Sequence, residues 1–221
     1  MININNRLKK VSSFVDCTSS GVIDVGCDHA LLDIYLLEKL PKLRVIASDI
    51  NDGPLKKAKE NLIKFHLDNK IELIKADGIE FIKDYVDTII ISGMGAETIL
   101  GILNKDESKL NNVKKLIISS NNKYLLLRKN IINLGFKINR ECIVYEDGKF
   151  YIIIEFIRGN ENYIDKELYF GPYLLKHKDD LFYQYYNYVK RKKIDVLNMI
   201  SLNNKKREEI ELEIELLTSE L

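Results

Sequence analysis

The sequence predicts an α/β fold: a mostly parallel sheet whose last strand is reversed, followed by an antiparallel helical hairpin. Three observations carry this. Short apolar runs alternate with helical patterns through the first two thirds of the chain, the mark of a parallel sheet covered by helices on both faces. Two β-rich runs then meet at Glu146-Asp147-Gly148, and Asp-Gly is a strong hairpin turn, so the sheet finishes with an antiparallel pair; that the last strand is the reversed one is analogy with known folds. Beyond Arg158-Gly159-Asn160 the strand signals stop and helical periodicity takes over.

Each element has its own reason. Gly21 to Val25 reads as the first strand, and His29 to Leu40 as a helix ended by Pro41. Arg44 to Ser48 is the second strand. The helix that follows, Pro54 to about Leu67, places proline in its first turn, where a missing N–H is tolerated. Further strands fall at Ile71 to Lys75, Thr88 to Ser92 and Leu116 to Ser119, then Lys137 to Tyr145 and Lys149 to Ile157, a seven-stranded sheet in all. From about Asp165 the pattern is helical. Apolar residues at Leu181, Phe182, Tyr185, Val189, Val196, Leu197 and Ile200, then at Ile210, Ile214 and Leu217 after a break near Leu202-Asn203-Asn204, suit two helices folding back on one another. The expected domains are 1–160 and 161–221.

Composition narrows the classes. With 221 residues, 46% hydrophobic and 30% charged, the chain can bury a core and is not a disordered tail. No apolar run is long enough to cross a bilayer, and Met1 to Lys10 has no signal-peptide pattern. Cys17, Cys27 and Cys142 are dispersed, without a CxxC, which argues against a disulfide framework and against structural zinc. His66 and His177 lack partners at metal spacing, so no metal is expected. A reduced, cytoplasmic protein is the plain expectation. Charges nearly cancel, 34 basic against 33 acidic, but they cluster: Arg7, Lys9 and Lys10 at the start, and Lys190-Arg191-Lys192-Lys193 near the start of the last quarter.

The chemistry sits at the strand ends, where parallel sheets bind ligands. After the first strand comes Asp24-Val25-Gly26-Cys27-Asp28-His29-Ala30. Gly26 lets backbone approach a ligand, and the next helix offers free N–H groups. A GxGxxG is absent, and Asp28 would repel a pyrophosphate, which disfavours a nicotinamide dinucleotide. After the second strand, Ser48-Asp49-Ile50-Asn51 puts an acid about twenty residues past the glycine loop, suited to ribose hydroxyls; an N-cap is the ordinary alternative. Asp77-Gly78 after the third strand can accept from an adenine amino group. Ser92-Gly93-Met94-Gly95 after the fourth offers a flexible floor. Together these loops favour an adenosyl cofactor.

Gly26-Cys27-Asp28-His29-Ala30, Ser48-Asp49-Ile50-Asn51, Gly53-Pro54-Leu55, Asp77-Gly78 and Gly93-Met94-Gly95 resemble the bacterial tRNA adenine-N1-methyltransferases called TrmK. The similarity runs from Arg7-Leu8 through Glu146-Asp147-Gly148-Lys149-Phe150-Tyr151 and Gly171-Pro172 to the helical end. It implies a Rossmann-like class I methyltransferase fold with a coiled-coil-like, tRNA-binding C-terminal domain. It further implies methyl transfer from S-adenosylmethionine to N1 of adenine 22 in tRNA. The sequence departs from the family at Ala96, where a further glycine is usual, and at Ser119-Ser120-Asn121, where the family has Gln-Pro-Asn. Of that last motif only Asn121 carries over; Leu127-Arg128 still fits.

The cofactor candidates are therefore Asp24, Gly26, Cys27, Asp28, His29, Asp49, Ile50, Asn51, Asp77, Gly78, Gly93 and Met94. Asp28 and His29 are the candidates at the reacting centre. Asp28 could equally hold the cofactor's amino group, and His29 could simply bond its own loop. The fourth-strand motif lacks the prolines and aromatic residue used to orient exocyclic amines. A ring nitrogen with a free lone pair needs no such help, so direct transfer aided by positioning is expected. N1 of adenine is reachable only in an unpaired or flipped base, for which Tyr35 and Tyr173 are candidate platforms. Tyr183, Tyr185, Tyr186 and Tyr188 read more simply as hairpin packing. Arg7, Asn121 and the block Lys190, Arg191, Lys192 and Lys193 are the candidate tRNA contacts. A monomer is expected. Two rival functions share parts of this pattern: a small-molecule methyltransferase, which has no need of a basic hairpin, and a non-catalytic tRNA-binding module, which has no use for Asp49 and Asp77.

Overall fold

The computed structural model describes residues 2–201 and 205–221. The chain divides into two compact units, Met1–Tyr173 and Leu174–Leu221. The larger begins with a short helix, α1 (Asn6–Ser12), that the sequence reading passed over. Its start is marked by Asn5, whose side chain accepts from the Leu8 N–H at 2.8 Å, as an N-cap should. Then follow β1 (Gly21–Val25), α2 (Leu31–Lys39), β2 (Arg44–Asp49), α3 (Asp52–Lys64), β3 (Ile71–Lys75), β4 (Thr88–Ser92), α4 (Ala96–Lys105), β5 (Lys115–Ser119), α5 (Tyr124–Asn133), β6 (Phe136–Glu146), β7 (Lys149–Arg158) and α6 (Asp165–Phe170).

The strands form one seven-stranded sheet in the order β3-β2-β1-β4-β5-β7-β6. Neighbours among the first five are parallel, and β7 is antiparallel to both β5 and β6. Strand order reverses between β1 and β4, and the crevice above that point is where such sheets hold ligands. The central strands are apolar on both faces: Ile89, Ile90 and Ile91 of β4 and Leu116, Ile117 and Ile118 of β5 are fully buried. That is why these stretches read as continuous rather than alternating runs. Each such side chain contributes roughly 1.5–3 kcal/mol of burial.

The helix α2 begins at Leu31 rather than His29. Asp28 (φ 51°) and Ala30 (φ 54°) adopt the left-handed conformation, which a helix cannot contain.

The end of the larger unit lies beyond residue 160 because Arg128 holds the following segment. Its Nε donates to Glu141 Oε1 at 2.8 Å, with both side chains fully buried. Its Nη1 donates to the carbonyls of Leu168 and Tyr169, and the Tyr173 N–H donates to Glu141. Gly171, at φ 91°, passes so close that a Cβ there would collide with the Glu141 carboxylate. At the other end of the unit, Glu146 in the β6–β7 turn accepts from the backbone N–H groups of Asn6 and Arg7, pinning α1 to the hairpin.

Chain order continues with α7 (Pro172–His177), and the smaller unit then carries α8 (Asp180–Met199) and α9 (Arg207–Glu220). Lys178 pairs with Glu220 and Lys193 with Glu213, while Arg207 donates to the Leu197 carbonyl. These links run in opposite directions along α8 and α9, so the hairpin is antiparallel. The expected break at Leu202-Asn203-Asn204 lies outside the described residues. No helix among the described residues is long and apolar enough to cross a membrane.

Candidate active site

The ends of β1, β2, β3 and β4 open into a cleft of about 550 Å³. It is lined by every residue the sequence singled out for a cofactor, from Asp24 and Gly26 through Cys27, Asp28, His29, Asp49, Ile50, Asn51, Asp77 and Gly78 to Gly93 and Met94. They arrive there because each occupies the end of a parallel strand or the turn that follows it.

The loop after β1 is the most constrained. Gly26 and Cys27 both donate their N–H to the Ser48 carbonyl, at 2.8 and 2.9 Å, which locks the turn to β2. Gly26 has φ 78°, and the Met94 thioether end packs where a Cβ would stand. Asp28 and Ala30 occupy positions where the general pattern has glycine, and both take a glycine-like conformation. Asn and Asp tolerate it; alanine is strained there by about 1 kcal/mol. The loop is held by Asn61 Nδ2, which donates to the His29 carbonyl at 2.9 Å.

The side chains of Asp28 and His29 reach outward and are about three-quarters and one-half exposed. His29 Nδ1 lies 3.2 Å from Asp28 Oδ1, without forming a directed hydrogen bond. Asp49 is buried at the end of β2, and its Oδ1 accepts from the Asn51 N–H at 2.9 Å. Ile50 beside it is exposed. Asp77 carries a partner the sequence did not foresee, Lys105 Nζ at 2.7 Å. The thiol of Cys27 is pushed far above its usual range by burial and then by the acidic side chains gathered around it. Cys27 is a wall of the cleft and not a nucleophile.

Arg7 is placed differently from its expected surface role. Its guanidinium lines the cleft, donates to Ser92 Oγ at 2.8 Å and stands 5.0 Å from the Tyr151 ring centroid. Asn121 closes on the β4 loop, its Nδ2 donating to the Gly93 carbonyl at 2.6 Å and its N–H to the Met94 carbonyl. Ser120 reaches the same Met94 carbonyl through Oγ, so this loop is held without the family's Gln-Pro. Neither tyrosine platform candidate lines the cleft. Tyr35 packs half-buried against the core of α2 beneath Lys39, and Tyr173 follows Gly171-Pro172 beside Glu141.

The basic block is not one surface. Consecutive helical residues point about 100° apart, so Lys190, Arg191, Lys192 and Lys193 wrap around α8. Arg191 and Lys192 are exposed, Lys190 is half-buried, and Lys193 is engaged by Glu213. Of the nearby tyrosines, Tyr186 is buried in the hairpin, Tyr185 is partly buried, and Tyr183 and Tyr188 are exposed.

One buried acid escaped the sequence reading. Asp33, on α2, is fully buried and lies beside Asp24. A carboxylate inside the apolar run Leu31-Leu32-Asp33-Ile34 was the available signal.

Residues 22–220 match the family model of the tRNA (adenine(22)-N(1))-methyltransferases, TrmK. The chain belongs to this family. Among curated proteins, the tRNA (adenine(22)-N(1))-methyltransferase of Bacillus subtilis is 29% identical over 188 residues, covering 82% of this chain and 79% of that one. A Streptococcus agalactiae structure of the NADB-Rossmann superfamily superposes with a TM-score of 0.93 at 33% identity, covering 100% of this chain and 98% of the other. The M. capricolum TrmK structure, in complex with the cofactor product S-adenosyl-homocysteine, matches with a TM-score of 0.86 at 32% identity, over 98% and 96% of the two chains. Magnesium protoporphyrin IX methyltransferase from Synechocystis, at 19% identity and a TM-score of 0.59, shares the fold alone. The class I methyltransferase fold expected from the sequence is the fold found.

Proposed function

We infer that this chain transfers the methyl group of S-adenosylmethionine to N1 of adenine 22 in tRNA. The observation that carries the reading is the convergence of the four strand-end loops in one cleft, on a chain that matches the family along nearly its whole length.

The donor set fits the cofactor. Its acids are spread along the cleft rather than gathered around a phosphate site, and the glycines fall where the loops pass close to its floor. Asp49, buried and already oriented by the Asn51 N–H, would accept from the ribose hydroxyls. Ile50 would cover the adenine ring. Asp77, with one oxygen on Lys105, keeps the other for the adenine amino group. Asp24 and Asp28 are the acids available to the methionine ammonium. When bound, S-adenosylmethionine supplies an electrophilic methyl group on a sulfonium.

The chain's own part in the reaction is positioning and charge. Gly93 and Met94, tied to Asn121, form the floor between donor and acceptor. The N1 lone pair attacks without prior loss of a proton, so no general base is required. The product carries a positive charge, which the Asp28 carboxylate stabilises. That carboxylate is largely exposed, so water screens its contribution. Arg7, inside the cleft, contacts the acceptor nucleotide rather than a distant phosphate. The helical unit Leu174–Leu221 supplies backbone contacts to tRNA through Arg191 and Lys192. The enzyme acts as a monomer in the cytoplasm, where its tRNA substrate is found.

The test is methyl transfer from labelled S-adenosylmethionine to unmodified tRNA, with the product nucleoside identified. N1-methyladenosine, lost when adenine 22 is replaced, is expected. Cofactor binding with no tRNA methylation would leave the fold standing and move the acceptor to a small molecule.

A further inference from the structure

Asp33 has no part in the cofactor contacts described above, yet its surroundings are unusual for a carboxylate. Its side chain is fully buried, and neither of its oxygens has a hydrogen-bond partner among the described residues. It occupies the third position of α2, where a helix N-terminus favours negative charge. Full burial without a donor outweighs that preference, because an unpaired buried carboxylate costs several kcal/mol. The neighbour that could satisfy it is the carboxyl of Asp24. Two neighbouring buried carboxyl groups cannot both be ionised at low cost; a proton between them turns repulsion into a hydrogen bond.

The proton has a preferred side. Asp33 does not line the cleft, and no cation is among the groups that act on it. Asp24 lines the cleft, where the charge of Arg7 reaches it and favours its ionised form.

We propose that Asp33 is a positioning residue for cofactor binding: it stays a neutral carboxylic acid and donates its O–H to Asp24, fixing Asp24 as the carboxylate that meets the cofactor's ammonium.

This rests on the cofactor reading of the cleft. Burial raises Asp24 to about 7, and the neighbouring Asp33 carboxyl and then the charge of Arg7 act in the opposite direction; burial and then the charge of Asp24 hold Asp33 well above the carboxylate range. The other titratable groups around the pair are Asp49 from the end of β2 and Cys27, Asp28 and His29 from the loop. Asp24 must be ionised to meet an ammonium. Cofactor affinity therefore falls as pH drops below its midpoint, about tenfold per unit.

The experiment is calorimetric titration with S-adenosylhomocysteine, which carries the same ammonium, from pH 5.5 to 8.5. Wild type is expected to bind weakly at the acid end, with a midpoint near 7. In Asp33→Leu the O–H donor is gone, so the midpoint moves up by about a unit and affinity at pH 7 falls about fivefold. The two curves draw together at the alkaline end. Asp33→Asn, whose amide can donate to Asp24, is expected to keep the wild-type midpoint, and Asp24→Asn to flatten the profile. Should Asp33→Leu not fold, infrared spectroscopy decides. A protonated carboxyl C=O stretch at pH 8 in wild type, absent from Asp33→Asn, supports the proposal, and its absence from wild type overturns it.

Equal weakening of Asp33→Leu at every pH, or a pH profile that survives Asp24→Asn, also overturns the proposal. Failure of wild type to bind at any pH would instead overturn the cofactor reading itself.

Discussion

Glu141→Leu removes the acid from a fully buried pair and leaves the Arg128 guanidinium enclosed, with its two carbonyl contacts but without its counter-charge. Breaking such a pair costs about 3–5 kcal/mol, against a total stability of about 5–15 kcal/mol for a domain. For a unit the size of Met1–Tyr173 each kcal/mol moves Tm by about 2–4 °C, so a fall of roughly 10 °C is expected. Urea titration followed by circular dichroism gives the free energy, and thermal melts give Tm. Glu141→Gln keeps the shape and one acceptor and should lose less. The double variant Arg128→Met with Glu141→Leu should recover most of the loss, because the stranded charge goes with its partner. A Glu141→Leu protein within about 1 kcal/mol of wild type would refute the reasoning, since it would mean that the guanidinium finds water or another anion.

Asp49→Ala should weaken S-adenosylhomocysteine binding at least tenfold by calorimetry while the melting temperature stays near wild type; undiminished affinity would remove Asp49 from the ribose. Neutralising Lys190, Arg191 and Lys192 while keeping Lys193 should weaken tRNA binding and flatten its salt dependence without altering free-cofactor affinity; a wild-type slope in filter binding would take these residues out of the interface. The pH dependence of ligand-free stability follows from Asp24. Its folded-state pKa is raised from 3.8 to about 7, so its contribution is fully present below about pH 4 and is lost as pH rises through 7, a swing of about 4 kcal/mol. Asp24→Asn should lack that decline and melt higher than wild type at pH 8; a lower melting temperature there would contradict the burial argument.

The sheet was legible because its strands are bounded by turn residues and its central ones are buried on both faces, which makes Thr88 to Ser92 and Leu116 to Ser119 stand out as apolar runs. The loops of the candidate site were legible for a related reason: parallel strands all end on one side, so residues far apart in sequence share a cleft once the strand count is right. What escaped was set by tertiary contact. Arg7 looked like one of three surface cations, and the packing of α1 with its bond to Ser92 turns it inward. Asp33 looked like an ordinary helical acid because burial depends on what covers α2. The kinship of Leu127-Arg128 and Gly171-Pro172 with the family had no local meaning. It acquires one in the Arg128–Glu141 pair and the absence of a Cβ at Gly171. The run Lys190 to Lys193 shows in the sequence as a block of charge, but which of its side chains are free depends on the fold: consecutive helical residues point apart, and Glu213 engages Lys193.

The clasp between Glu146 and the start of α1 bears on how the protein is made. The contact joins residues 140 apart in sequence, so on a chain emerging from the ribosome N-terminus first it cannot form until the β6–β7 turn has been synthesised. Until then Arg7 lacks the clasp on its backbone N–H, and its guanidinium has only the bond to Ser92 to hold it in the cleft. The turns after β1, β2 and β3 can take shape earlier. A nascent chain halted just before Glu146 would therefore carry most of the turns that line the cleft and lack the clasp that fixes the start of α1 beside it.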